Sequence, residues 1–110
     1  MIEEIIQNYL RENAFPCYLS VPEKPSGNFC VLEKTGSGYK DGIFTATLAV
    51  QSYGSSDYAA AQLSHRVVQT MLDAETLPEI VSCTLNTDYN FPDTTRKLPR
   101  YQAVFEVVHY

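Results

Sequence analysis

The chain has 110 residues, room for one domain, and area scaling gives a folded surface of about 6,100 Å² against about 18,000 Å² for the extended chain, enough burial for one modest core. Hydrophobic residues at 45% and charged residues at 19% exclude a disordered chain, and eight Tyr and five Phe without Trp favour strands. The net charge of −5 leaves no basic footprint for phosphate contacts, and no run approaches the roughly 18 apolar residues of a membrane span.

Glu3 and Glu4 stand where a signal peptide would carry Lys or Arg, so the chain is expected in the cytosol unless it leaves inside a larger assembly. Residues 2–13 have the spacing of an amphipathic helix, with Ile2, Ile5, Ile6, Tyr9 and Leu10 on one side. Asn13 and Pro16 end it, and Cys17 to Val21 is a short extended piece. Pro22 to Asn28 is a loop, and Phe29 to Thr35 reads as a strand. Gly36-Ser37-Gly38-Tyr39-Lys40-Asp41 then reads as the polar loop of a long hairpin. The return strand, Gly42 to Tyr53, sets Phe44, Ala46, Leu48 and Val50 on one face and Thr45, Thr47 and Gln51 on the other, as in a sheet covered on one side.

After Gly54, Ser55 or Ser56 can cap a long helix with Asp57 in its first turn. Ala60, Leu63, Ser64, Val67, Val68, Met71 and Leu72 form its stripe, and it ends near Asp73 and Ala74. Two strands follow, Ile80 to Thr87 and Arg100 to Tyr110. Val104 and Val108 make the second face of the last strand partly apolar, so it is central or covered by a neighbour. The order predicts an α+β two-layer sandwich: a mostly antiparallel sheet of four to five strands, with two helices packed on one face.

Chemical motifs are sparse. Cys17, Cys30 and Cys83 form no CxxC pair and read as small core hydrophobes. His65 lies off the helix stripe, and His109 shares a strand face with Phe105 and Val107, an edge-of-core position. The two His and the Cys lack the convergent spacing of a metal site. Gly36-Ser37-Gly38 lacks the further Gly and the Lys-Ser/Thr of a phosphate-binding loop. Glu3-Glu4 and Asp73 with Glu75 read as solvated carboxylates. The expectation is a protein with no catalytic, cofactor or metal residues, and not an enzyme.

The connection from Asp88 to Pro99 is about as long as a compact domain allows without a task of its own. Tyr89, Phe91 and Leu98 are more apolar surface than a small core can absorb, and Asn90, Arg96, Lys97 and Arg100 stand beside them. Aromatic side chains with Arg are the usual composition of a protein contact. The competing reading is a lid, with Tyr89 and Phe91 folded back on the sheet edge.

Four stretches together carry a resemblance: Val31-Leu-Glu-Lys-Thr-Gly-Ser-Gly38, Ala46-Thr-Leu-Ala-Val-Gln-Ser-Tyr53, Leu85-Asn-Thr-Asp-Tyr-Asn-Phe91 and Arg100-Tyr-Gln-Ala-Val-Phe-Glu-Val-Val-His-Tyr110. In that order they resemble the small minor structural proteins of phages and prophages of Gram-positive bacteria, called minor capsid or tail-completion proteins. Those are similar in turn to the tail terminators of the group containing the phage lambda U protein. The resemblance implies an α+β subunit of a ring, commonly a hexamer, that caps the finished tail tube and meets the head connector. Its partners would be further copies of itself, the tail tube protein and the neck proteins, with DNA only passing through the channel. It would be found in the virion, at the tail or neck, after assembly in the host cytoplasm. The loops 36–41, with Gly36, Ser37, Gly38 and Tyr39, and 88–99 are the expected protrusions for such contacts. A head-side neck protein and a small-molecule-binding regulatory α+β domain are the alternatives.

Overall fold

A computed structural model describes every residue except Ser26, which falls in the expected loop 22–28. Among the described residues the helices are α1, Ile2–Glu12, and α2, Asp57–Leu72. The strands are β1, Cys17–Tyr18; β2, Phe29–Lys40; β3, Ile43–Tyr53; β4, Ile80–Asn90; and β5, Arg100–His109. They make one sheet of order β1-β2-β3-β5-β4 in which β1 and β2 are parallel and the other neighbours antiparallel. The α+β class, the mostly antiparallel sheet and the helices packed against it agree with the sequence expectation, and β5 is central.

The two-residue period of β3 and β5 creates the layers. Ala46, Leu48 and Val50 and their cross-strand neighbours Phe105, Val107 and Ala103 point to the helices and are buried. Against them lie Ile6 and Leu10 of α1 and Leu63, Val67 and Met71 of α2, all in one apolar cluster. Tyr9 ties the helices together by donating its hydroxyl to the Thr70 carbonyl at 2.7 Å, and burial raises its pKa. The exposed surface, 6196 Å², is close to what the chain length dictates.

Helix α2 begins where Ser56 turns extended and its hydroxyl accepts from the Ala59 N–H at 3.1 Å. Gly54 lets the chain enter that helix, because a Cβ there would lie 2.5 Å from the Ala60 nitrogen. The helix carries the chain over the sheet to β4, parallel to β3 but one place removed, and β5 returns between them.

Two expected loops are shorter than the sequence implies. Residues 36–40 belong to β2, with Gly36, Ser37, Gly38 and Tyr39 paired to Thr47, Ala46, Thr45 and Phe44. The register shift between Lys34 and Gly36 accommodates the extra residue, and only Asp41 and Gly42 make the turn. Both have positive φ, 53° and 82°, as a two-residue hairpin turn with right-handed strand twist requires. Likewise, Asp88, Tyr89 and Asn90 extend β4 by pairing with Ala103, Gln102 and Tyr101. The connection therefore spans 91–99, and its centre closes on itself through an Asp93–Leu98 bridge.

Candidate assembly surfaces

The β4–β5 connection is pinned to the sheet by a side chain that its local sequence does not single out. Asp93 is 4% exposed and follows Pro92 into a tight turn, where its carboxylate accepts the Arg96 N–H at 3.1 Å. It also accepts the Tyr53 hydroxyl at 3.0 Å and the Arg96 guanidinium at 3.1 Å. Arg100 adds its charge at 3.9 Å and donates to the Tyr53 hydroxyl at 3.1 Å. Burial alone would raise the Asp93 pKa, but the Arg96 N–H, the Tyr53 hydroxyl, the Arg96 guanidinium and the Arg100 charge outweigh it and hold it below the usual 3.8. The Tyr53 hydroxyl is pushed up, chiefly by desolvation.

This latch divides the connection. Leu98 folds back on a small apolar cluster of Phe29, Val31 and Tyr53, on the face away from the helices, where Phe29 and Tyr53 stack at 4.6 Å. Phe91 instead stays 41% exposed and Tyr89 39% exposed, their rings edge to face at 5.6 Å. Arg100 holds Phe91 in that position, with its guanidinium over the ring at 4.4 Å and its Nε donating to the Phe91 carbonyl at 2.6 Å. Gln102 donates to the Tyr89 hydroxyl and accepts from Gln51 at 2.9 Å, so Tyr89 is also fixed by its strand neighbours. Lys97, with φ 55°, and Arg96 are exposed beside them. Asp93 and Leu98 close the sheet end, whereas Tyr89 and Phe91, the residues of the lid reading, keep much of their rings exposed.

A second aromatic surface lies at the other end of β3, nine residues from Tyr53 to Phe44, or about 30 Å of strand. Tyr39 and Phe44 face each other across the hairpin at 4.6 Å, and the His109 ring stacks on Phe44 at 5.5 Å. Tyr110 follows, 68% exposed. The chain terminus, the start of α1 and the underside of the hairpin enclose an open cleft of about 420 Å³ with Ile2, Ile5, Phe44 and His109 in its wall. Phe44 was expected in the core on its alternation with Ala46 and Leu48; the helical layer ends short of it, and it is 42% exposed. Tyr39 joins this surface, with Ser37 on the same face of the sheet, whereas Gly36 and Gly38 face the other side against Thr47 and Thr45.

The residues singled out from the sequence thus fall into two groups. Tyr89, Asn90, Phe91, Arg96, Lys97 and Arg100 gather at one end of the sheet, and Gly36, Ser37, Gly38 and Tyr39 lie in the opposite half. Sequence reasoning missed Asp93 and Tyr53 as the latch and Phe44 as the exposed partner of Tyr39. Pairing across the Asp41-Gly42 turn puts Phe44 on the face of Tyr39, and the bulge before Gly36 returns Tyr39 to the face of Leu32 seven residues earlier, a shift that composition does not reveal.

Among the described residues no group of three or more His, Cys, Asp or Glu is placed to hold a metal ion. No helix among them is long and apolar enough to cross a membrane. What the geometry defines is an α+β module with unlike aromatic surfaces at the two ends of its sheet. A scan against protein-family models finds no match, and a search of curated proteins finds no similar sequence.

Proposed function

We propose that the protein is a phage structural subunit that forms a ring on the end of the tail tube and joins tail to head, a tail terminator or tail-completion protein. The reading starts from the sequence resemblance, and the observation that carries it further is the pair of unlike aromatic surfaces at opposite ends of one elongated body, 43 Å long and 24 Å across. A ring needs heterologous contacts, in which one patch meets a different patch on the next copy. Exposed aromatic side chains beside Arg and Lys at one end, and Tyr39, Phe44 and Tyr110 at the other, have the composition that such contacts use. Among the described residues the outer edge of β4 and the part of β2 beyond Val31 have no strand partner, and they are further surfaces for a neighbouring copy.

Within this reading, Phe91, Tyr89 and Lys97 contact the tube or an adjacent subunit. Arg96 and Arg100 position them, because both guanidinium groups are engaged by Asp93 and Arg100 also supports Phe91. Imaging lysates of a phage deleted for the protein tests the role. Overlong tubes are expected for a terminator, normal-length free tails beside full heads would move the ring to the head side of the joint, and normal infectious particles would end both readings.

A further inference from the structure

Cys17 and Cys30 are read from the sequence as inert core residues, yet the fold sets them side by side. They are paired neighbours on the parallel β1–β2 ladder, and both are fully buried. Adjacent strands run about 4.8 Å apart, inside the Cα separation of about 4.4–6.8 Å that a disulfide spans. Cys83, on β4, sits at the opposite edge of the sheet with β3 and β5 between it and β2, so it is out of reach of either.

We propose that Cys17 and Cys30 form a dithiol that closes to an intrachain disulfide, fastening β1 to β2 and leaving Cys83 free. The segment they would lock is short, with Phe15 and Cys17 anchoring it in the main core. Two-residue β1 depends on the Cys30 N–H reaching the Pro16 carbonyl at 3.0 Å and on Gln7 and Arg11 of α1 donating to the Cys17 carbonyl at 3.1 and 2.9 Å. So short a strand opens more readily than the core, which gives a reagent access to buried sulfur. The environments also divide the work. The Cys30 thiol points to the Pro16 carbonyl at 3.8 Å; its nearness and Arg11 hold the Cys17 pKa down against burial, while Cys30 is raised by the adjacent thiol and by burial. Cys17 lies on the short edge strand that opens, so it meets the reagent first and Cys30 resolves the mixed disulfide.

The oxidant is a small-molecule disulfide. The Cys17 thiolate attacks one of its sulfurs and displaces the other half as a thiolate. Cys30 then gives up its proton and attacks the Cys17 sulfur, releasing the second half. The two protein protons leave on the two small thiols, and one protein disulfide replaces one reagent disulfide. The inference rests on the ladder and not on the ring reading.

Treating the folded full-length protein with 4,4′-dithiodipyridine tests it, with the Cys83→Ala variant and the parent chain in parallel. The expected result for Cys83→Ala is release of two reagent thiols per chain, a protein lighter by two hydrogens with no adduct, and a higher Tm. In the parent chain a peptide map should join Cys17 to Cys30 and find reagent only on Cys83, which keeps the test decisive if the variant fails to fold. Stable adducts on Cys17 or Cys30, dimers linked through either of them, or Cys17 and Cys30 left unreacted after the unfolded chain has reacted completely would each overturn it.

Discussion

Asp93 accepts three hydrogen bonds while almost out of water, and its partners Tyr53 and Arg100 come from the ends of β3 and β5. Asp93→Asn keeps the shape but removes the charge that both Arg residues face. The expected loss is about 1–3 kcal/mol, because buried donors are left poorly paired. At about 4–8 °C per kcal/mol, thermal unfolding will register it. The sign with pH follows from the lowered native pKa. The contribution of Asp93 is present above the unfolded carboxylate value and is lost as pH falls through the lower native one. Tm measured from pH 6 downward should fall in the parent chain below about pH 4 and fall less steeply in Asp93→Asn. A parallel pair of curves would remove Asp93 from the acid response. Nothing in Pro92-Asp93-Thr94-Thr95 separates Asp93 from a solvated turn residue, because Tyr53 lies 40 positions away and only the finished sheet brings it close. The exposed aromatics and cations beside it were legible from composition; the side chain that organises them was not.

At the scale of elements, hydrophobic period and turn chemistry make most of the fold legible. The helix stripes, the alternation in β3 and the Ser56 cap all follow local rules, and the structure contains them. The errors lie where a strand crosses residues that usually punctuate loops. Gly36, Ser37 and Gly38 read as a hairpin tip, but β3 supplies a paired partner for each and the turn moves to Asp41-Gly42. Asp88, Tyr89 and Asn90 read as loop for the same reason, and β5 pairs them. The entry to α2 gives a sharper test of the packing. Gly54→Ala places a methyl group against the backbone of Ala59 and Ala60, which a side-chain rotation cannot relieve. The expected cost is about 1–3 kcal/mol by overpacking. Ser56→Ala, two residues on, removes only the cap and should cost about 1 kcal/mol. A Gly54→Ala variant as stable as the parent in denaturant titration would contradict the close approach at Gly54.

For the whole molecule, the proposed ring makes a prediction that separates stability from assembly. Phe91→Ala and Lys97→Glu alter exposed groups outside the main core, so each should shift folding stability by about 1 kcal/mol or less. Both should weaken binding to the tube or the next subunit. Full assembly by both variants would remove this surface from the role. The measurement that bears most directly on the proposal is the native mass of the purified protein across a concentration series, with and without isolated tail tubes, imaged in the same samples. The account predicts a closed ring with an open channel, free or seated on tube ends. A protein that stays monomeric throughout and leaves the tubes uncapped would contradict it.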